Sequence, residues 1–139
     1  MLNTDLTVLI VESNRATAEV LRLRFEMAGF STVIAGSGVE AVGELESGSF
    51  DLIVTELMLP DMNCSELCET VRDVMGLDDL AIIVCSPNGM EADISALVVN
   101  YGISKVFFKP VAPKTVVASA RELLYRSSVP LSLATASVH

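Results

Sequence analysis

The chain has 139 residues, 51% of them hydrophobic, and a formal net charge of −9. That length makes one ordinary domain with ample core, and a pI near 4.4 excludes the basic surface that direct nucleic-acid or anionic-membrane binding requires. Apolar runs such as AIIV and VLIV are too short to span a bilayer, and the opening MLNTDLT lacks a charged region followed by a long apolar one, so the expectation is a soluble, cytoplasmic protein with no membrane contact.

In chain order, TVLIVE (residues 7–12) reads as the first strand, rich in β-branched residues. The first helix follows from about Asn14 to Ala28, with Ala16, Val20, Leu23 and Met27 at helical spacing as its expected core stripe. STVIA (31–35) is the second strand, and Ser37 with Glu40 opens the second helix at capping-box spacing. DLIVTE (51–56) is the third strand, with Asn63 and Glu66 capping the helix after it. AIIVC (81–85) is the fourth, with Asn88 and Glu91 as the next box, and SKVFF (104–108) is the fifth. Pro113 fits the first turn of the last helix. Gly29, Gly48, Gly76 and Gly102 each close a helical stretch, where a left-handed cap favours glycine. After Arg126 the chain becomes SSVPLSLATASVH, uncharged and rich in Ser and Ala. Residues 1–126 are therefore expected to form the domain and 127–139 a flexible tail or the start of a linker. No internal repeat is present.

Five strands alternating with helices make a (βα)5 pattern. Their apolar runs are continuous, so both faces of each strand are covered, and the sheet should be parallel and doubly wound with helices on either side. In such a sheet, ligands gather outside the carboxyl ends of the strands. Those ends carry Glu12 and Ser13, then Glu56, then Ser86 and Pro87, then Lys109 and Pro110. Two carboxylates, a hydroxyl and an ammonium thus meet in one crevice. Cys64, Cys68 and Cys85 are odd in number, which suits reduced thiols in a cytosol. Cys64 and Cys68 lie one helical turn apart, and buried small hydrophobes are preferred for them over a redox or metal site.

Over about residues 5 to 126 the chain resembles a response regulator receiver domain of the CheY-like kind. VLIVES resembles that family's first strand with its acidic pair, DLIVTELMLPDMN its phosphoacceptor strand and loop, IIVCS its hydroxyl-bearing strand, and FFKP its lysine-proline pair. The resemblance implies a flavodoxin-like sheet of order 2-1-3-4-5 and a place in two-component signalling. It also implies an aspartate that takes a phosphoryl group beside a bound magnesium ion, with a response at the face of the last two helices and strands.

Several positions depart from that pattern. Glu56 stands where the aspartate is expected, and its extra methylene moves the carboxylate by roughly 1.5 Å, whereas an error of about 1 Å can cost a hundredfold in rate. Ser13 replaces one acid of the metal-binding pair. That leaves Glu12, Glu56 and the carbonyl of Met58 as candidate ligands, too few hard charged oxygens for more than weak magnesium binding, or none. Ser86 and Lys109 are retained, but Pro87 has no N–H to offer a phosphoryl group. Val106 occupies the switch position that is normally aromatic, with Phe107 and Phe108 displaced toward the core, and Cys64 replaces a frequent glycine.

The expected function is therefore that of an atypical receiver, not an enzyme, binding partners independently of phosphorylation. Glu56 is expected to reach toward Lys109 and Ser86 in a fixed ion pair. The expected contact surface is the face of the fourth helix, fifth strand and fifth helix, through Val98, Val99, Tyr101, Val116, Val117 and Leu124, with a homodimer, a histidine kinase or an effector domain as partner. Two other readings stay open: a phosphotransfer receiver that uses magnesium and an unusual acceptor, and a flavodoxin-like binder of a small ligand. Against the last, the glycine-rich phosphate loop is absent after the first strand, where ESNRAT stands.

Overall fold

A computed structural model describes residues 5–128. Five parallel strands, β1 (Thr7–Val11), β2 (Ser31–Ala35), β3 (Leu52–Glu56), β4 (Ala81–Ser86) and β5 (Lys105–Phe108), lie in the order β2-β1-β3-β4-β5. Helices α1 (Arg15–Met27), α2 (Gly38–Ser47), α3 (Cys64–Glu69), α4 (Glu91–Tyr101) and α5 (Pro113–Ser128) alternate with them, and a π-helical turn, Thr70–Val74, extends α3. The flavodoxin-like order and all five strand positions agree with the sequence reading. The helix of α5 continues through Ser127 and Ser128, the first two residues of the expected tail; residues 129–139 lie outside the described residues.

The sheet separates two cores. One face, Leu9, Val11, Ile53, Ile82 and Val84, packs against Ala41, Leu45, Leu67, Val71 and Leu97 from α2, α3, the π-helical turn and α4. The other, Val8, Ile10, Leu52, Val54 and Ile83, packs against Ala18, Leu21 and Phe25 of α1 and Val116, Ala120 and Leu124 of α5. Residues of β1, β3 and β4 are buried on both faces, which is why they read as unbroken apolar runs. Edge strand β5 is partly exposed.

Four local expectations are corrected. The stripe Ala16, Val20, Leu23 and Met27 is not core: all four are exposed, and Ala18, Leu21 and Phe25 hold α1 to the sheet instead. Gly29, Gly76 and Gly102 have positive φ, but Gly48 is extended at φ −146° and caps through its N–H to the Glu44 carbonyl alone. Asn63 and Glu66 form the full capping box. At α2 only half of one forms: Ser37 receives the Glu40 N–H, while the Glu40 carboxylate turns to the N–H of Gly36 at 2.6 Å. Asn88 does not cap α4, which starts after Met90 without a side-chain cap, because its amide donates to the Lys109 carbonyl at 3.1 Å.

Candidate functional site at the carboxyl ends of the strands

Each strand end delivers its polar residue to one crevice. Glu12 directly follows β1 and is buried; its N–H is held by the Ala35 carbonyl at 3.0 Å. Its Oε2 accepts the Asn14 N–H at 3.0 Å, and its Oε1 lies 3.7 Å from Lys109 Nζ. Burial first, then the neighbouring Glu56 carboxyl, pushes the Glu12 carboxyl above its ordinary value, against the pull of the Asn14 N–H and Lys109.

Glu56 ends β3, and its Oε1 accepts from both the hydroxyl of Ser13 at 2.7 Å and the N–H of Ser13 at 3.3 Å. Its Oε2 is 4.0 Å from Lys109 Nζ. Lys109 is fixed through its backbone, whose N–H donates to the Ser86 carbonyl at 2.8 Å. Ser86 is buried and donates its hydroxyl to the Pro87 carbonyl at 2.9 Å. The expected triangle of Glu56, Lys109 and Ser86 is thus corrected: Glu56 takes Ser13 as its close partner, Lys109 sits at ion-pair range of both glutamates, and Ser86 bonds to the backbone. The reason is local: β1 is an immediate neighbour of β3, so the Ser13 hydroxyl reaches Glu56, whereas Lys109 follows β5, two strands away, and the Ser86 hydroxyl is taken by the Pro87 carbonyl. Beside the crevice, Glu12, Cys85, Pro87, Lys109 and Val116 line a cavity of about 510 Å³.

The residues present do not fit a magnesium ion well. Both Glu12 oxygens and both Glu56 oxygens already face N–H, hydroxyl or ammonium groups. Ser13 offers a neutral hydroxyl that is itself donating, and Met58 would add only a carbonyl, in the loop where it forms an isolated antiparallel bridge with Asn63. Magnesium demands several hard oxygens in near-octahedral array, which this set would supply only after dismantling its own contacts.

Two residues that frame the site carried no role in the sequence reading. Asp61, in the loop after Glu56, receives the N–H groups of Gly38 and Val39 at 2.9 Å each. The first turn of α2 therefore holds the Asp61 carboxyl below its ordinary range and pins the loop across the top of the sheet. A Cβ at Gly38 would run into the Met62 side chain of that same loop, so a larger residue there requires that flexible side chain to move. Arg72, in the π-helical turn, donates to the carbonyls of Tyr101 at 2.8 Å, Leu77 at 2.6 Å, Leu80 at 2.8 Å and Gly102 at 3.3 Å. Both Asp61 contacts, and those of Arg72 to Tyr101 and Gly102, reach backbone groups more than twenty residues away, a pairing that no local spacing reveals.

The expected contact face is only partly present. Val116, Val117 and Leu124 are buried in the core, since α5 packs against both β4 and α1 and so uses two adjacent faces. Tyr101 and Val106 are half-buried against the other core. Val98 and Val99 are exposed, at 38% and 83%. Phe107 packs inward beneath the Lys105 ammonium, 5.6 Å from its ring centroid, whereas Phe108 lies at the surface and not toward the core. The cysteines are all buried and free, Cys64 and Cys68 with sulfurs 3.8 Å apart. Their shared contact and burial keep the Cys64 thiol protonated, and burial pushes Cys85 up to about 11. Among the described residues no three His, Cys, Asp or Glu side chains gather as a metal cluster, and no helix is long and apolar enough to cross a membrane.

The parallel 2-1-3-4-5 sheet carries acids at the ends of β1 and β3 and a lysine after β5, and comparison with known families gives this arrangement a class. The response regulator receiver domain family matches residues 8–121, and the chain belongs to it. It is 29% identical over 120 residues to the DNA-binding response regulator MtrA of Mycolicibacterium paratuberculosis, covering 86% of this chain and 52% of that protein. It is 31% identical over 121 residues to the response regulator MprA of a Mycobacterium species, covering 87% and 51%. The chain thus spans about half the length of these relatives. Among solved structures, the receiver domain of the Francisella response regulator 1452 superposes with a TM-score of 0.79 at 22% identity, covering 89% of this chain and all of that one, which shows the shared fold.

Proposed function

We propose that this receiver domain is an atypical one that signals by binding a protein partner, independently of phosphorylation and without catalysis, in the cytoplasm. The observation that carries the reading is the Glu56 carboxylate, which stands at the acceptor position and is already bonded by the Ser13 hydroxyl and N–H. A nucleophile must present a free oxygen in line with the donor, and a longer side chain tied sideways to the neighbouring loop does not. The groups that would receive a transferred phosphoryl point the same way: Ser86 donates to a carbonyl and Pro87 lacks an N–H. Lys109 remains, and it is engaged with Glu12 and Glu56. The fixed contacts hold one resting conformation that a partner reads.

The partner is a histidine kinase or an effector domain, and its contact is the α4–β5 part of the expected face. Val98, Val99 and Phe108 supply the exposed apolar area there. The test is a backbone amide NMR titration with magnesium, then beryllofluoride, a phosphoryl mimic that needs no kinase. Amides of Glu12, Glu56 and Ser86 are expected to stay in place. Shifts at those amides that spread to Val98–Tyr101 would mean that the phosphotransfer switch is intact and the reading wrong.

A further inference from the structure

The outward face of α1 carries an apolar stripe that the domain itself does not use. Ala16, Val20, Leu23 and Met27 follow one another at intervals of four, three and four residues, the 3.5-residue repeat of a coiled-coil seam. Val20, Leu23 and Met27 are 48%, 54% and 55% exposed, while the opposite side of the helix is buried against the sheet. In heptad terms Val20 and Met27 are a positions, and Ala16 and Leu23 are d positions.

We propose that this face joins two copies of the chain through their α1 helices, packed parallel. The residues at the seam and the charges beside it identify both occupant and orientation. A β-branched residue at a with leucine at d, here Val20 and Leu23, favours a parallel two-stranded pair. Glu19 and Glu26 take g positions, and Thr17 and Arg24 take e positions. In a parallel pair a g residue meets the e residue five positions further along the other helix, so Glu19 meets Arg24 of the second copy, and symmetry repeats the contact. An antiparallel pair sets g against g and would place Glu19 beside Glu26 of the other copy, twice. Arg24 makes no ion pair among the described residues, and Arg22 holds Glu19 through Oε2 alone. The charge of the patch favours self-contact too. Although the whole chain carries −9, α1 holds three arginines against two glutamates, so two copies can meet here without acid facing acid.

One helix face is smaller than the roughly 800 Å² per partner of a stable dimer, so the pairing is weak, with a dissociation constant on the order of 100 µM. Sedimentation equilibrium from about 10 µM to 1 mM tests it, with the mass expected to rise toward the dimer. Leu23→Ser, on an exposed site that leaves the melting temperature in place, is expected to weaken association by about tenfold. Glu19→Arg and Arg24→Glu are each expected to weaken it, and the double variant to restore it. An Ala16→Cys variant is expected to cross-link to its own copy under diamide, since parallel packing places the two sites opposite each other. A mass that stays monomeric to 1 mM overturns the proposal. So does a dimer that survives Leu23→Ser but is lost with Val99→Ser, a double charge swap that fails to restore pairing, or cross-linking only when Ala16→Cys is mixed with Met27→Cys.

Discussion

The crevice at the strand ends and the outward face of α1 lie side by side, joined by Ser13 and Asn14, yet they are finished in opposite ways. In the crevice Glu12, Glu56, Ser86 and Ser13 all have bonding partners within the chain. On α1 three large apolar side chains have none, although the same helix buries Phe25 completely on its other side. Polar groups that satisfy one another close a site to new ligands, because any ligand must first repay the bonds it displaces. Apolar surface left in water remains available, because covering it releases free energy in proportion to area. Under the proposed function, reactive chemistry and partner contact are separable within one receiver domain, and this chain retains the second.

Four experiments sharpen or break the contrast. The largest effect is expected on α1 itself: Phe25→Ala should cost about 4 kcal/mol in urea unfolding, as large-to-small changes in a packed core do. Leu23→Ala, two residues away, should stay within about 0.5 kcal/mol in dilute protein. Similar losses at both would mean that the outward stripe is covered after all.

Reopening the crevice comes next. With Glu56→Asp and Ser13→Asp together, acceptance of a phosphoryl group from acetyl phosphate and magnesium, read by intact mass, should rise at least about a hundredfold over the wild type. If the pair stays unmodified, the missing N–H at Pro87 is the dominant defect, and Pro87→Ala added to the pair becomes the deciding variant.

A smaller effect is expected from Ser13→Ala, which removes one hydrogen bond to Glu56 and should cost about 1 kcal/mol of stability. No change would mean that the carboxylate finds another partner at once, and the closed crevice would be less specific than its geometry. The smallest effect is a slope. Because burial holds Glu12 above its ordinary 4.5, folding favours its protonated form. The stability that this form contributes is complete below pH 4.5 and is lost as pH rises through the raised value. Thermal melts of the wild type and Glu12→Gln from pH 4 to 8 should diverge, the variant lacking that decline. Parallel curves would count against a costly buried charge.

The sheet was legible because its inner strands are covered on both faces, which left VLIV and AIIV as unbroken apolar runs with glycine and capping residues between the elements. The crevice residues were legible because the order of the strands alone decides which ends converge. Helix α1 was misread for a definite reason. Its sequence carries two apolar stripes, Ala16-Val20-Leu23-Met27 and Ala18-Leu21-Phe25, and helical periodicity reports that a stripe exists without saying which one faces the sheet. In α5 the error ran the other way, as Val116, Val117 and Leu124 looked like contact surface but serve a helix wedged between β4 and α1. Asp61 and Arg72 could not be placed because their partners are backbone groups of distant elements.

Arg72 has a mechanical consequence. Its guanidinium clasps the carbonyls of Tyr101 and Gly102, where α4 ends, while the start of α4 at Met90 has no side-chain hydrogen bond capping it and is held by the packing of Met90 and Ile94. The two ends of the helix are thus moored differently, one by a directional clamp from the π-helical turn and the other by non-directional apolar contact. Val98 and Val99 lie a single turn from the clamp, so a partner that covers them meets backbone already fixed by a neighbouring element.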